Sequence, residues 1–168
     1  MPKPKIPTKP GTAFGGGFYA GRFYIGTDAY ALIVAPKAEG EIKAMSWNSS
    51  LKSVAGATSY CDGLANTKAM AKAGSALAKK MLKLKIGGYD DWHLPSRLQS
   101  LLAFHELAAA ELFAPGGSES YEREWHWTST QHAESAGYAW VQVFSYGDQS
   151  YGPKGTEWRA RAVRMIKL

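Results

Sequence analysis

Residues 87–99, Gly-Gly-Tyr-Asp-Asp-Trp-His-Leu-Pro-Ser-Arg-Leu-Gln, constrain the fold of this 168-residue chain more than any other stretch, because they stop one helix, turn tightly and start another. Gly87 and Gly88 can take positive φ and so end the Lys/Ala-rich helix before them, which a residue with a Cβ does poorly. Pro95 cannot continue that helix. Ser96 followed three positions later by Gln99 is a capping-box pattern: the hydroxyl accepts from the Gln99 amide and the Gln99 side chain accepts from the Ser96 amide. A new helix is therefore expected from about Arg97, with Trp92 buried in the turn that precedes it.

The flanking periodicities follow from this turn. Met70, Ala73, Leu77, Met81 and Leu84 recur at three- and four-residue steps while Lys72, Lys79, Lys80 and Lys83 fall largely elsewhere, which predicts an amphipathic helix. Residues 51–66 read as a first helix with Cys61 on its inner face; two helices, or one broken near Gly63, both fit. After the turn, Leu98, Leu101, Leu102, His105, Ala108, Ala109 and Leu112 form a second stripe, ended by Pro115-Gly116-Gly117.

Upstream, residues 18–25 and 29–35 are aromatic and β-branched runs separated by Gly26-Thr27-Asp28, a β-hairpin pattern. Gly15-Gly16-Gly17 follows no strand and opens no helix, so close backbone packing explains it better than a dinucleotide site. Residues 36–50 read as a loop with Trp47 as a core anchor. Residues 125–130, 138–146 and 157–166 read as strands, with a loop from 147 to 155. Strands, then helices, then strands make an α+β plan in one domain, residues 13–168, whose ends can pair. Residues 1–12 alternate Pro with Lys and Thr and read as a flexible extended arm, suited to lie along another subunit.

The single cysteine excludes an internal disulfide, and no apolar run is long enough to span a membrane. The N-terminus lacks the apolar stretch of a secretory signal, so synthesis in a reducing cytoplasm is expected. The net charge of +6 is concentrated in the arm and in six lysines between Lys68 and Lys85, a stretch without acidic residues. A solvated helix face explains it, and nucleic acid is not expected as a partner.

Candidate chemistry is sparse. His105-Glu106 opens a zinc-protease pattern, but Ala109 stands where the second histidine is needed, so His105 reads as helix-packed. Cys61 reads as a small buried apolar residue. Asp90 and Asp91 read as turn and helix-capping residues, although Ca²⁺ would also take their oxygens. Trp125, Trp127, Trp140 and Trp158 can stack on sugars, yet at alternate strand positions most should be core. One stretch, Ser145 to Gly152, has the mix that binding loops use: Tyr146, Asp148, Gln149, Ser150 and Tyr151 are its candidate ligand-binding residues. A plain hairpin turn has the same composition. No cofactor or metal is expected.

Three blocks carry a family resemblance. Residues 87–96 resemble the G-G-x-x-D-W-R-L-P-[ST] signature of the Lcl C-terminal type of domain, with His93 where that signature has Arg. Trp125-His126-Trp127-Thr128-Ser129-Thr130 is similar to its Y-W-[ST]-S-T block, and Arg161-Ala162-Val163-Arg164 resembles its closing R-x-V-R. Trp47 and Cys61 match a weaker pattern upstream, so the resemblance spans roughly residues 47–168. It implies a C-type-lectin-like fold, with two or three helices packed on a small antiparallel sheet, shared with formylglycine-generating enzymes and variable phage proteins. Those enzymes use a cysteine pair, and this chain has one cysteine; the lectin calcium motifs are absent as well. The resemblance therefore points to a non-enzymatic phage or prophage virion protein, a homo-oligomeric tail-tip or receptor-binding component that meets a host surface glycan or protein. The alternative is a capsid or tail decoration protein with no external ligand, and the third reading is an enzyme related to those oxidases.

Overall fold

The structure is a computed structural model that describes residues 5–168. In chain order the elements are β1 (Ala13–Phe14), β2 (Gly17–Ile25), β3 (Asp28–Val34), α1 (Lys37–Gly40), β4 (Glu41–Ser46), α2 (Gly63–Lys72), α3 (Ala76–Leu82), α4 (Arg97–Leu107), β5 (Trp125–Gln131), β6 (Tyr138–Val143), β7 (Gln149–Pro153), β8 (Glu157–Arg161) and β9 (Val163–Lys167). The chain is α+β, and it has two sheets rather than one. The first runs β1-β2-β3-β9 and the second β4-β8-β5-β6-β7, where the contact of β5 with β8 is parallel.

The expected hairpin is β2–β3, in register from Phe18↔Val34 to Ile25↔Asp28. β9 adds to β3 from Tyr30↔Lys167 to Val34↔Val163, so the two ends of the domain share a sheet. This sheet is buried on both faces at its centre. Ala31 and Ile33 enter a large cluster with Trp47, Trp92, Trp127, Met70, Leu77 and Met81. Leu32 and Val34 enter a second cluster with Phe23, Ala103, Leu107 and Phe113. The period-two alternation of a strand explains how one segment serves two cores.

Each buried indole N–H meets a carbonyl: Trp47 donates to Thr128 O (2.9 Å), Trp127 to Met45 O (2.9 Å) and Trp92 to Tyr89 O (3.1 Å). A buried polar atom left unpaired costs about 1–3 kcal/mol, so these partners are what let three tryptophans be fully buried. Trp125, Trp140 and Trp158 are only half-buried.

The three sequence blocks meet in space. Ser129 N donates to Pro95 O (2.7 Å), and Arg97 N, an orphan donor at the start of α4, donates to Thr130 Oγ1 (3.1 Å). His93 and Val163 exchange both backbone hydrogen bonds. The two arginines of the closing block reach different regions: Arg164 clamps Asp91 with Nε at 2.6 Å and Nη2 at 2.9 Å, while Arg161 binds Ala35 O and the Glu119 carboxylate. Asp91 is thus an ion-pair partner, not a cap. The Ser96–Gln99 capping box forms as the spacing predicts.

Residues 51–62 are not helical: α2 starts at Gly63 with Asp62 as its cap, and Cys61 lies before it, half-buried beside Ser59. The Lys/Ala-rich segment is broken at Gly74 (φ 95°), where Ser75 caps α3 and its Oγ donates to Trp47 O (2.6 Å). Gly87 and Gly88 end no helix, since α3 stops at Leu82. They are the centre of a turn closed by paired bonds between Ile86 and Tyr89, at φ 61° and 83°, a type I′ arrangement. A Cβ on Gly87 would lie 2.4 Å from Gly16 Cα, which is the close backbone packing expected of the glycine cluster.

α4 ends at Leu107, and its buried face is Gln99, Ser100, Ala103 and Leu107. The apolar stripe expected there is largely peripheral, and His105, Ala108, Ala109 and Leu112 are exposed. The polar Gln99 and Ser100 lie inward because the capped helix start abuts the buried turn. Residues 36–50 contain α1 and β4, and 147–155 contain β7. Of the arm expected over 1–12, the first four residues lie outside the described residues. From there the chain does not stand free: Ile6 packs on the large cluster, Gly11 N donates to Tyr19 O (2.8 Å), and Tyr19 N donates to Thr12 O (2.9 Å). No helix among the described residues is long and apolar enough to cross a membrane.

Candidate functional site

β6 alternates as a half-buried strand must. Ala139 and Val141 point inward, while Tyr138 and Trp140 point outward. β7 pairs with it in the register Trp140↔Tyr151 and Gln142↔Gln149, so Tyr151 and Gln149 join Trp140 on the outer face. The Trp140 and Tyr151 rings meet edge to face with centroids 5.2 Å apart, and Tyr138 lies edge-on to Tyr151 at 6.0 Å. His132, just past β5, stacks on Trp140 at 5.5 Å and sits 4.5 Å from Tyr151. Its Nδ1 accepts from the amides of Glu134 (3.2 Å) and Ser135 (3.1 Å), which leaves any ring proton on Nε2, the other nitrogen.

Arg97 crosses this face from the first turn of α4. Its guanidinium lies 3.5 Å from the Trp140 ring centroid and 5.4 Å from that of Tyr60. Such contacts contribute about 0.5–2 kcal/mol depending on desolvation. Gln149 locks both ends of the residue: Arg97 Nε donates to Gln149 Oε1 (3.1 Å) and Gln149 Nε2 donates to Arg97 O (2.8 Å). Burial lowers the Arg97 pKa, with Tyr60 opposing, and the group remains a cation. Tyr60 is 46 % exposed, Tyr138 40 % and Tyr151 50 %. The result is a platform of rings with a fixed cation on strand and helix positions, able to stack on planar or C–H-rich surfaces and to donate hydrogen bonds.

The five candidate residues of the 145–152 stretch lie in different places in the fold. Tyr151 and Gln149 belong to the platform. Ser150 pairs with Val141 and is half-buried. Asp148 is exposed in the β6–β7 turn, where its carbonyl accepts from Val143 N (3.0 Å). Tyr146, 81 % exposed, stands at the turn's tip. Reading the chain alone missed Tyr60, Arg97 and His132, which arrive from three distant segments. Trp140 carried the usable signal: Tyr138 and Trp140 alternate with the small apolar Ala139 and Val141, which marks an outer face there, although the alternation ends at Gln142, which is buried.

Two histidines are buried away from this site. His93 and His126 have Nδ1 beside the carbonyl two residues back, 3.3 Å from Asp91 O and 2.8 Å from Glu124 O. Both Nε2 atoms are buried without a partner. Burial pushes each pKa from 6.5 to about 4, so both are neutral at pH 7. Lys154 is buried too; its ammonium donates to Lys52 O (2.9 Å) and Gln131 Oε1 (2.6 Å), and burial lowers its pKa to about 8. Among the described residues no three His, Cys, Asp or Glu side chains gather to hold a metal ion.

Compared with family models, residues 37–164 match the Lcl C-terminal domain. No curated protein matches the chain.

Proposed function

Because the chain belongs to the Lcl C-terminal domain family, we propose that it is a non-enzymatic binding module whose recognition surface is the outer aromatic face of β5, β6 and β7. The observation that carries this reading is the Arg97–Trp140–Tyr151–His132 cluster, in which three rings and a guanidinium stay partly exposed on one face. Rigid aromatic anchors with a guanidinium are the residue types that dominate binding surfaces.

The architecture is read here as C-type-lectin-like, supported by the pairing of β3 with β9 and by a second sheet that carries the site. In this reading the protein is made in a bacterial cytoplasm and acts in a phage or prophage virion, as a homo-oligomeric tail-tip or receptor-binding component. Its N-terminal residues contact other virion proteins, and its platform meets a host surface glycan or protein.

The test is a titration against envelopes of candidate host bacteria and an array of bacterial surface glycans. Tyr151→Ala and Arg97→Ala are expected to weaken binding at least about tenfold each, the loss of one anchor, while both stay folded: Tyr151→Ala within roughly 4 °C of the parent and Arg97→Ala, which also loses the Trp140 and Gln149 contacts, roughly 2–10 °C below it. Unchanged binding by the double variant would remove the platform as the site. A parent that binds neither envelopes nor glycans, yet enters particles, would behave as a decoration protein.

A further inference from the structure

A groove of about 760 Å³ opens beside the β6–β7 turn and shares no lining residue with the aromatic platform. Its size lies within the range of small-molecule sites, about 300–1,000 Å³. Phe104 and Leu107 of α4 form one wall and Phe113 and Phe144 contribute the others. The base is rigid. Tyr121 stacks flat on Phe144, centroids 3.6 Å apart and 4° between planes, and the Arg161 guanidinium backs Tyr121 at 4.8 Å and Phe113 at 5.2 Å. The turn at the mouth is seated as well, because a Cβ on Gly147 would fall 2.3 Å from the Phe104 ring.

The charges at the mouth are unequal in their compensation. Glu122 pairs with Lys37 at 2.8 Å and Glu124 with Arg159 at 3.0 Å. Arg123, between them, is exposed and makes no ion pair among the described residues. A groove with ring-lined walls and a polar mouth, whose one uncompensated charge is a guanidinium, complements a molecule with an apolar body and an anionic head. Arg is suited to a carboxylate, which its planar fork binds through two hydrogen bonds.

We propose that this groove is a second binding site that takes a small amphipathic carboxylate, its ring or branched alkyl body against Phe104, Leu107 and Phe113 and its carboxylate at Arg123. The occupant reaches the cavity past Tyr146. The site operates independently of the platform, since the two are built from different residues.

The probe is 4-phenylbutyrate, titrated into the ¹⁵N-labelled full chain and followed by amide chemical shifts, with 4-phenylbutanol as the uncharged arm. Saturable shifts at Gly116, Arg123 and Tyr146 are expected at about millimolar concentration, as so few atoms allow, with the alcohol about tenfold weaker. Arg123→Gln should remove the preference for the carboxylate while leaving the alcohol's affinity unchanged. Ala108→Phe, a substitution at an exposed position on the groove wall, should abolish both. The amide spectrum of each variant reports whether it is folded, and either variant tests the proposal without the other. Shifts absent at about 10 mM, shifts centred on other residues, or an Arg123→Gln protein that still prefers the carboxylate would overturn the proposal.

Discussion

Lowering the pH should unfold this protein through two histidines before its ion pairs are challenged. His93 and His126 are buried and neutral, and in both the Nδ1–H faces a carbonyl while Nε2 has no partner. Adding a proton at Nε2 therefore places a charge in a buried site, where His126 has no acceptor and His93 has only the Gln99 side chain nearby. Around His126, Arg159 and Arg161 add repulsion and Glu124 opposes it; around His93, Gln99, Asp62 and Asp91 oppose the dominant cost of burial. The unfolded chain takes up each proton near pH 6.5 and the folded chain only near pH 4, so the unfolded state binds more protons between those values. Stability is complete above pH 6.5, falls through that window and falls no further from this source below about 4. At about 1.4 kcal/mol per tenfold, each histidine removes about 3.5 kcal/mol and the pair about 7 kcal/mol, against a typical total of about 5–15 kcal/mol. Urea unfolding at closely spaced pH values between 8 and 4 measures this directly. His93→Asn and His126→Asn keep a donor for the carbonyl but do not titrate, so each should remove about half of the slope whatever it does to stability at pH 8. A parent whose stability is flat from pH 6.5 to 4, or a double variant with the parent's slope, would refute the reasoning.

The two turn glycines should differ sharply. Gly87→Ala is expected to cost at least about 3 kcal/mol, since its Cβ strikes Gly16 backbone, whereas Gly88→Ala, with open space around it, should cost about 1 kcal/mol from its positive φ alone; chemical denaturation separates them. Asp91→Ala strands the buried Arg164 guanidinium and should cost about 2 kcal/mol, below the value for a fully buried pair because Asp91 is 42 % exposed. Ser96→Ala should cost about 1 kcal/mol and Trp92→Ala about 3–5 kcal/mol, read from the same denaturation curves. Deleting residues 1–12 should lower stability by about 1–2 kcal/mol rather than leave it unchanged, because Ile6 and the Gly11–Tyr19 hydrogen bond go with them; calorimetry of the truncated chain checks it.

Local rules made much of this protein legible from its sequence. The Ser96–Gln99 cap, the β2–β3 hairpin and the strand character of β5 and β6 depend on neighbours within a few positions, so spacing and residue type suffice to read them; the single strand read over 157–166 is instead two, β8 and β9, which part at Ala162 and join different sheets, a break that only the packing of the two layers imposes. The burial of Trp47 and Trp92 was legible for a similar reason, whereas of Trp125, Trp127, Trp140 and Trp158, read together as mostly core, only Trp127 is fully buried, because alternation along a strand does not say which face another layer covers. Partnership across the chain was not legible. Asp91 looks like a turn residue until Arg164 arrives from β9, and Gln99 looks like surface until the start of α2 and β9 close around it. The glycines at 87 and 88 announce positive φ, but only the approach of Gly16 shows what the turn packs against. The platform is the extreme case. Trp140 and Tyr151 become neighbours through strand register, whereas Tyr60, Arg97 and His132 are carried to them by a loop, a helix start and a strand end. Each of those residues has a bland local reading, and side-chain contacts between segments dozens of residues apart leave no periodic mark on a sequence. Such contacts come from how layers stack and where a chain turns back, which is a property of the folded whole.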